Sequence, residues 1–97
     1  MSRPKKCRCV NCNPQALYFK PRGIPLVDLE EVCLSLDEVE ALRLADHEGR
    51  YHEEAAREMK VSRATFGRIV NEARRKVAGA LVQSKALRIE TNKESKE

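Results

Sequence analysis

Apolar positions along the chain recur at two different periods, and these divide it into elements. Leu36, Val39, Leu42 and Ala45 return at helical spacing. Ser35 precedes them as a candidate N-cap, and Glu38 stands three residues on, the signature of a capping box. Asp37, Glu38 and Glu40 lie in the first turn, where carboxylates favour the positive end of the helix dipole. Asp46-His47-Glu48-Gly49 ends this helix. His52 to Met59 forms a second, short helix, and Lys60-Val61-Ser62 a turn. A third helix runs from Arg63 to about Leu81, with Ser62 as its cap and a stripe of Phe66, Ile69, Val70, Ala73, Val77 and Leu81.

The ends read differently. Pro4, Pro14, Pro21, Pro25 and Gly23 break residues 1–26 into an irregular arm. Its only strand-like run is Ala16 to Lys20. The segment from Val27 to Leu34 suits either a helical turn or a strand. Lys85 to Glu90 suits a short strand that pairs with Leu17–Lys20, and the remaining polar residues form a frayed tail. The expected organisation is an arm over 1–26, a helical domain over 27–82, and a strand with a disordered tail over 83–97. The expected fold is mainly α.

Charge changes the picture only when it is divided along the chain. The formal net charge is +4. Residues 1–22 hold six basic and no acidic groups, residues 23–59 three basic and eleven acidic, and residues 60–79 six basic and one acidic. Two basic blocks flanking an acidic one suggest a polyanionic partner met by particular segments. Ordinary solvated helix faces are the competing explanation. The two basic blocks are expected to share one face, with the acidic block turned away.

Two helices joined by a short turn, the second with a basic outer face, form the pattern of a helix-turn-helix. Ala55 and Ala56 are small enough for two helices to cross, and Val61 is placed to point back into the core. The third helix then offers a cap at Ser62, Arg63 and Thr65 at its N-terminal end, and an outer face of Ala64, Gly67, Arg68, Asn71, Glu72 and Arg75. In the major groove Arg reads guanine and Asn adenine. Arg74, Arg75 and Lys76 follow as phosphate contacts, and Arg3, Lys5, Lys6 and Arg8 as backbone-tracking arm residues.

Residues Leu34 to Leu81 resemble region four of bacterial sigma factors. The matching positions are Leu36, Glu40, Leu42-Arg43-Leu44, Glu54, Ala56, Val61-Ser62-Arg63, Ala73 and Lys76-Val77. The chain is also similar to domain-of-unknown-function family 134. That likeness rests on Arg3-Pro4, Phe19-Lys20-Pro21, Gly23-Ile24-Pro25, Asp37-Glu38, Glu40 to Asp46, Glu54-Ala55-Ala56, Val61-Ser62-Arg63, Thr65-Phe66, Arg68 and Lys85-Ala86-Leu87. The resemblance implies a sigma-region-four-like three-helix core and a DNA-binding regulator. Ala64 and Arg68 replace the Glu and Gln common in sigma recognition helices, so promoter specificity does not carry over.

Cys7-Arg-Cys9-Val-Asn-Cys12 supplies three clustered thiols, and Cys33 a fourth, with His47 or His52 as substitutes. Tetrahedral zinc takes four such ligands, so zinc is the candidate cofactor. Lys5, Lys6 and Arg8 would favour thiolates. A redox-sensing or iron–sulfur role and plain free thiols compete with it.

No glycine-rich phosphate loop and no nucleophile–base–orienter set occurs, so no enzyme is expected and no small-molecule substrate. No apolar run approaches the roughly 20 residues that span a bilayer. No secretory h-region follows the first charges, so a cytoplasmic location is expected. The expected function is sequence-specific binding of double-stranded DNA in transcription regulation. The expected partners besides DNA are a second copy, through Val77–Ile89, and RNA polymerase, through the acidic 28–58 surface. The alternatives are an RNA-binding module, a polymerase-interacting module and a metal- or redox-responsive regulator.

Overall fold

The computed structural model describes residues 10–91. Arg3, Lys5, Lys6, Arg8, Cys7 and Cys9, and the tail over 92–97, lie outside the described residues. The described chain runs β1 (Tyr18–Phe19), a single 3-10 turn (Leu26–Asp28), β2 (Glu31–Ser35), α1 (Leu36–Leu42), a π-helical turn (Arg43–His47), α2 (His52–Met59), α3 (Arg63–Gln83) and β3 (Ala86–Glu90).

The first helix starts as the capping pattern dictates. Ser35 accepts the Glu38 amide at 3.1 Å, and Glu38 Oε1 accepts the Ser35 amide at 3.0 Å. Instead of stopping, the helix widens into its π turn, where the Glu48 amide reaches the Arg43 carbonyl at 2.8 Å. Gly49, at φ +72°, then turns the chain in a conformation that side chains with a Cβ rarely adopt. Between α2 and α3 the reversal is made by Lys60, a left-handed residue at φ 60°. Ser62 caps α3 by accepting the Thr65 amide at 3.0 Å.

The segment from Val27 to Leu34 takes both expected forms in succession, a 3-10 turn and then β2. The pairing between the arm and the C-terminal strand is present and antiparallel, Tyr18 opposite Arg88 and Phe19 opposite Leu87. Beyond that expectation, β2 lies parallel to the other side of β3, giving the order β1-β3-β2. Parallel strands need a long crossover, and the three helices supply it. The sheet and the helical core are therefore one packed body.

Two clusters form the interior. Ala41, Leu44, Ala55, Ala56, Met59, Phe66 and Val70 make the first, with Val61 packed against it from the turn. Leu34, Ala73 and Ile89 make the second, between sheet and α3. Leu42 touches both. Near its end the buried stripe of α3 passes through Ala80 rather than the expected Leu81, which is 74 % exposed. The helix reaches Gln83 before Ser84, at φ 57°, stops it.

Among the described residues one carboxylate, that of Glu40, is fully buried. Glu40 Oε1 accepts the Cys12 amide at 3.0 Å and Arg43 Nε at 2.8 Å, while Oε2 accepts Arg43 Nη2 at 2.8 Å. Burial alone would raise the Glu40 carboxyl. The Arg43 guanidinium and the arm's backbone amide outweigh it, and the group titrates below the usual carboxylate range. Glu40 thus ties the arm to the end of α1.

Two outcomes follow for stability. Phe66→Ala empties the centre of the first cluster and should cost about 3–5 kcal/mol in denaturant unfolding. Glu40→Gln removes a charged partner from two hydrogen-bonding groups and should cost about 2 kcal/mol. Because the Glu40 carboxyl is depressed in the fold, its contribution is complete above the ordinary carboxylate range. It fades as the pH falls through the lowered native value. Wild type and Glu40→Gln should therefore converge in stability in strong acid. A gap that stays constant with pH would contradict this placement of the charge.

Candidate nucleic-acid interface

The outer surface of α3 is fixed by what its inner stripe must bury. At about 100° per residue, the side opposite Phe66, Val70 and Ala73 carries Ala64, Arg68, Asn71 and Arg75. All four are exposed. Arg63 and Arg74 lie along one flank of this face, and Lys76 along the other.

Pairing sorts the cations further. Arg63 and Arg68 have no carboxylate partner among the described residues, and Arg68 reaches only the Thr65 hydroxyl at 3.4 Å. Ser62 spends its hydroxyl on the cap and on Thr65 Oγ1 at 3.0 Å, so Ser62 and Thr65 order the first turn between them. Arg75 forms a bidentate pair with Glu72, at 2.7 and 3.2 Å. Arg74 does the same with Asp46, 28 residues away, at 2.8 and 3.0 Å. The hydrogen bond from Arg74 holds the Asp46 carboxyl below the usual carboxylate range, so the pair is fully charged at neutral pH.

Lys76 is placed differently from an exposed phosphate contact. Its ammonium donates to the Cys33 carbonyl and to Glu38 Oε1, both at 2.9 Å, over the junction of β2 and α1. The expected separation of acidic and basic faces is also incomplete. Asp46, Glu38 and Glu72 each reach a cation of α3. The π turn carries Asp46 onto the flank of α3, and the capping box carries Glu38 beneath Lys76. The other acids of the block are largely paired away from α3: Glu31 with Arg88, Glu48 with Arg43 and Arg50, and Glu58 with Arg50.

Gly67 lies on this face beside Ala64. A Cβ built on Gly67 meets nothing within 4 Å, so the fold itself does not demand a glycine there. Arg57 and Lys60 are exposed cations at the α2–α3 turn that sequence reasoning passed over. Their place beside the third helix was visible in the turn itself. Of the Val77–Ile89 segment, Ala80, Ala86 and Ile89 are buried within the chain, while Leu81 and Val82 remain exposed.

Of the four candidate thiols, Cys12 and Cys33 fall within the described residues. Cys33 Sγ accepts Arg88 Nη2 at 2.8 Å, whereas Cys12 Sγ lies 3.9 Å from the Leu36 carbonyl. Both are free cysteines. Among the described residues no group of three His, Cys, Asp or Glu side chains is placed to hold a metal ion. His52 packs edge-on against Phe66, with ring centroids 5.2 Å apart. His47 lines an open groove with Cys12, Val39 and Leu42. Burial and the charge of Glu40 push the Cys12 thiol up to about 11. No described helix is long and apolar enough to cross a membrane.

A family model described as "Protein of unknown function DUF134" matches residues 1–96. A UPF0251 protein of Desulfosudis oleivorans is 59 % identical over 90 residues, which cover 93 % of this chain and 65 % of that protein. A second, from Prosthecochloris aestuarii, is 58 % identical over 88 residues, covering 91 % and 57 %. A third, from Thermoanaerobacter pseudethanolicus, is 56 % identical over 90 residues, covering 93 % and 76 %. The chain thus spans less than two thirds of the first two relatives. No solved structure matches.

The raised Cys12 thiol makes a direct prediction. At neutral pH a thiol pushed up to about 11 holds about 100-fold less thiolate than an ordinary one, so iodoacetamide should label Cys12 about 100-fold more slowly. Glu40→Gln should speed that labelling, as followed by peptide mass spectrometry. Fast labelling of Cys12 in the folded wild type would contradict the geometry around Glu40.

Proposed function

The chain belongs to the DUF134 family, and we propose that it binds double-stranded DNA sequence-specifically as a transcription regulator. In this reading α2, the Lys60–Ser62 turn and α3 act as a helix-turn-helix like that of sigma factor region four. The N-terminal half of α3 enters the major groove.

The observation that carries the proposal is the unpaired outer surface at the start of α3. Arg63 and Arg68 have no carboxylate partner among the described residues, Asn71 is exposed beside them, and Ala64 and Gly67 keep the surface low between them. A low surface lets a helix seat deeply in a groove about 12 Å wide, with Arg and Asn reaching base edges. Arg75 and Arg74, further along, are suited to phosphates, because a guanidinium holds phosphate with the same fork that it offers a carboxylate. An exposed ion pair contributes about 0–1 kcal/mol, so exchanging the carboxylate for phosphate is easily compensated. Lys76, engaged with the β2–α1 junction, is left out of the contact set.

Duplex recognition fits this surface better than single-stranded RNA. Aromatic side chains that stack unpaired bases are absent from the exposed face of α3.

Binding to a duplex enriched from a random pool, titrated at several fixed salt concentrations, tests the assignment. Arg68→Ala should lose about 1–3 kcal/mol on the enriched duplex and little on a mixed-sequence one. Arg75→Ala should weaken both alike and reduce the slope of log affinity against log salt by about 0.9. Enrichment of no duplex by the wild type, or equal affinity of wild type and Arg68→Ala for every duplex, would overturn the proposal.

A further inference from the structure

Resting on the DNA-binding reading above, we propose that Asp46 is a specificity-determining residue that restrains Arg74 from binding DNA indiscriminately. The pair joins two separate elements, the π turn after α1 and the flank of α3. It is bidentate, with Asp46 Oδ1 on Arg74 Nη2 and Oδ2 on Arg74 Nε. Both side chains are a little under half exposed, at 44 % and 45 %. Asp46 therefore sits within reach of any polyanion that approaches Arg74.

Two physical effects follow from this placement. The carboxylate occupies the fork edge that a phosphate would take, so a phosphate must displace it before gaining that contact. It also sets a negative charge beside the incoming backbone. The cost of displacing an exposed pair is small, up to about 1 kcal/mol. A complex already held by base contacts at Arg68 and Asn71 offsets that cost. One held by phosphates alone, in arbitrary register, gains much less. Discrimination is thereby widened by a residue that touches no base, through weakening of the wrong complex.

Glu72 and Arg75 lack this character. They are three residues apart on one helix and move together, as an ordinary helical i,i+3 pair does. Asp46 belongs to a different element, so its position depends on the π turn and its charge can be removed without altering α3.

The test is Asp46→Asn, which keeps the shape and removes the charge. Titrations use a mixed-sequence duplex and the enriched duplex across a salt series. One more phosphate contact in the mixed-sequence complex should steepen its salt slope by about 0.9 and raise its affinity by several-fold to about tenfold near 0.1 M salt. Affinity for the enriched duplex should rise less, so the ratio between them falls. Arg74→Ala in the Asp46→Asn background should return the slope to the wild-type value. Circular dichroism and the unfolding midpoint of Asp46→Asn should match the wild type, because a partly unfolded basic chain also gains non-specific affinity. An unchanged slope and an unchanged mixed-sequence affinity in Asp46→Asn would overturn this role for Asp46 and leave the DNA reading intact. Failure of the wild type to bind any duplex would overturn the DNA reading and this role with it.

Discussion

The rotation of α3 about its own axis is the constraint on which the rest of the molecule depends. Phe66, Val70, Ala73 and Ala80 must be covered, and they are covered by three different partners. Ala55 and Ala56 let α2 approach closely, Ala41 of α1 and Leu44 of the π turn close a second side, and Leu34 with Ile89 bring the sheet against Ala73. A helix pinned at both ends of one stripe has no freedom to roll. The face carrying Ala64, Arg68, Asn71 and Arg75 is outward because nothing else can be. The same packing explains why residues from β3, at the far end of the sequence, belong to the core that orients the start of α3.

Carboxylates then decide how much of the basic charge is available. Among the described residues, the acids paired with Arg74, Arg75 and Lys76 come from defined local structures: Asp46 from a π turn, Glu72 from the helix itself, Glu38 from a capping box. Their pairs leave the positive potential concentrated at the first two turns, around Arg63 and Arg68. Glu40 works in the opposite direction, inward, where its buried charge is held by Arg43 and by the arm's backbone at Cys12. Burial and that charge raise the Cys12 thiol, and the hydrogen bond from the Cys12 amide joins the arm to the helices.

Much of this was legible in the sequence, for reasons of range. Local signals carried the Ser35–Glu38 box, the Ser62 cap, the Gly49 stop and the apolar stripe of α3, because each depends on residues within one or two helical turns. The pairing of Leu17–Lys20 with Lys85–Glu90 was also readable, since both runs are short, β-prone and bounded by breakers. The parallel partnership of β2 with β3 was not, because a crossover of three helices leaves no mark in either strand. Nor was the fate of the cations. Glu72 with Arg75 shows as an i,i+3 pair, but Asp46 with Arg74 and Lys76 with Cys33 span 28 and 43 residues. Lys76 illustrates the point: periodicity gives it a flank position, and only the packing of β2 against α3 turns that flank into an interior hydrogen-bonding site.

The most direct test of the central claim is to map which backbone amides respond when duplex DNA is titrated into isotope-labelled protein. With α3 as the recognition element, the largest shifts fall on Arg63, Ala64, Gly67, Arg68 and Asn71, with smaller ones at Lys60 and Arg75. Shifts confined to the outer face of the sheet around Tyr18, Glu31 and Arg88, or no saturable shift at all, would contradict it.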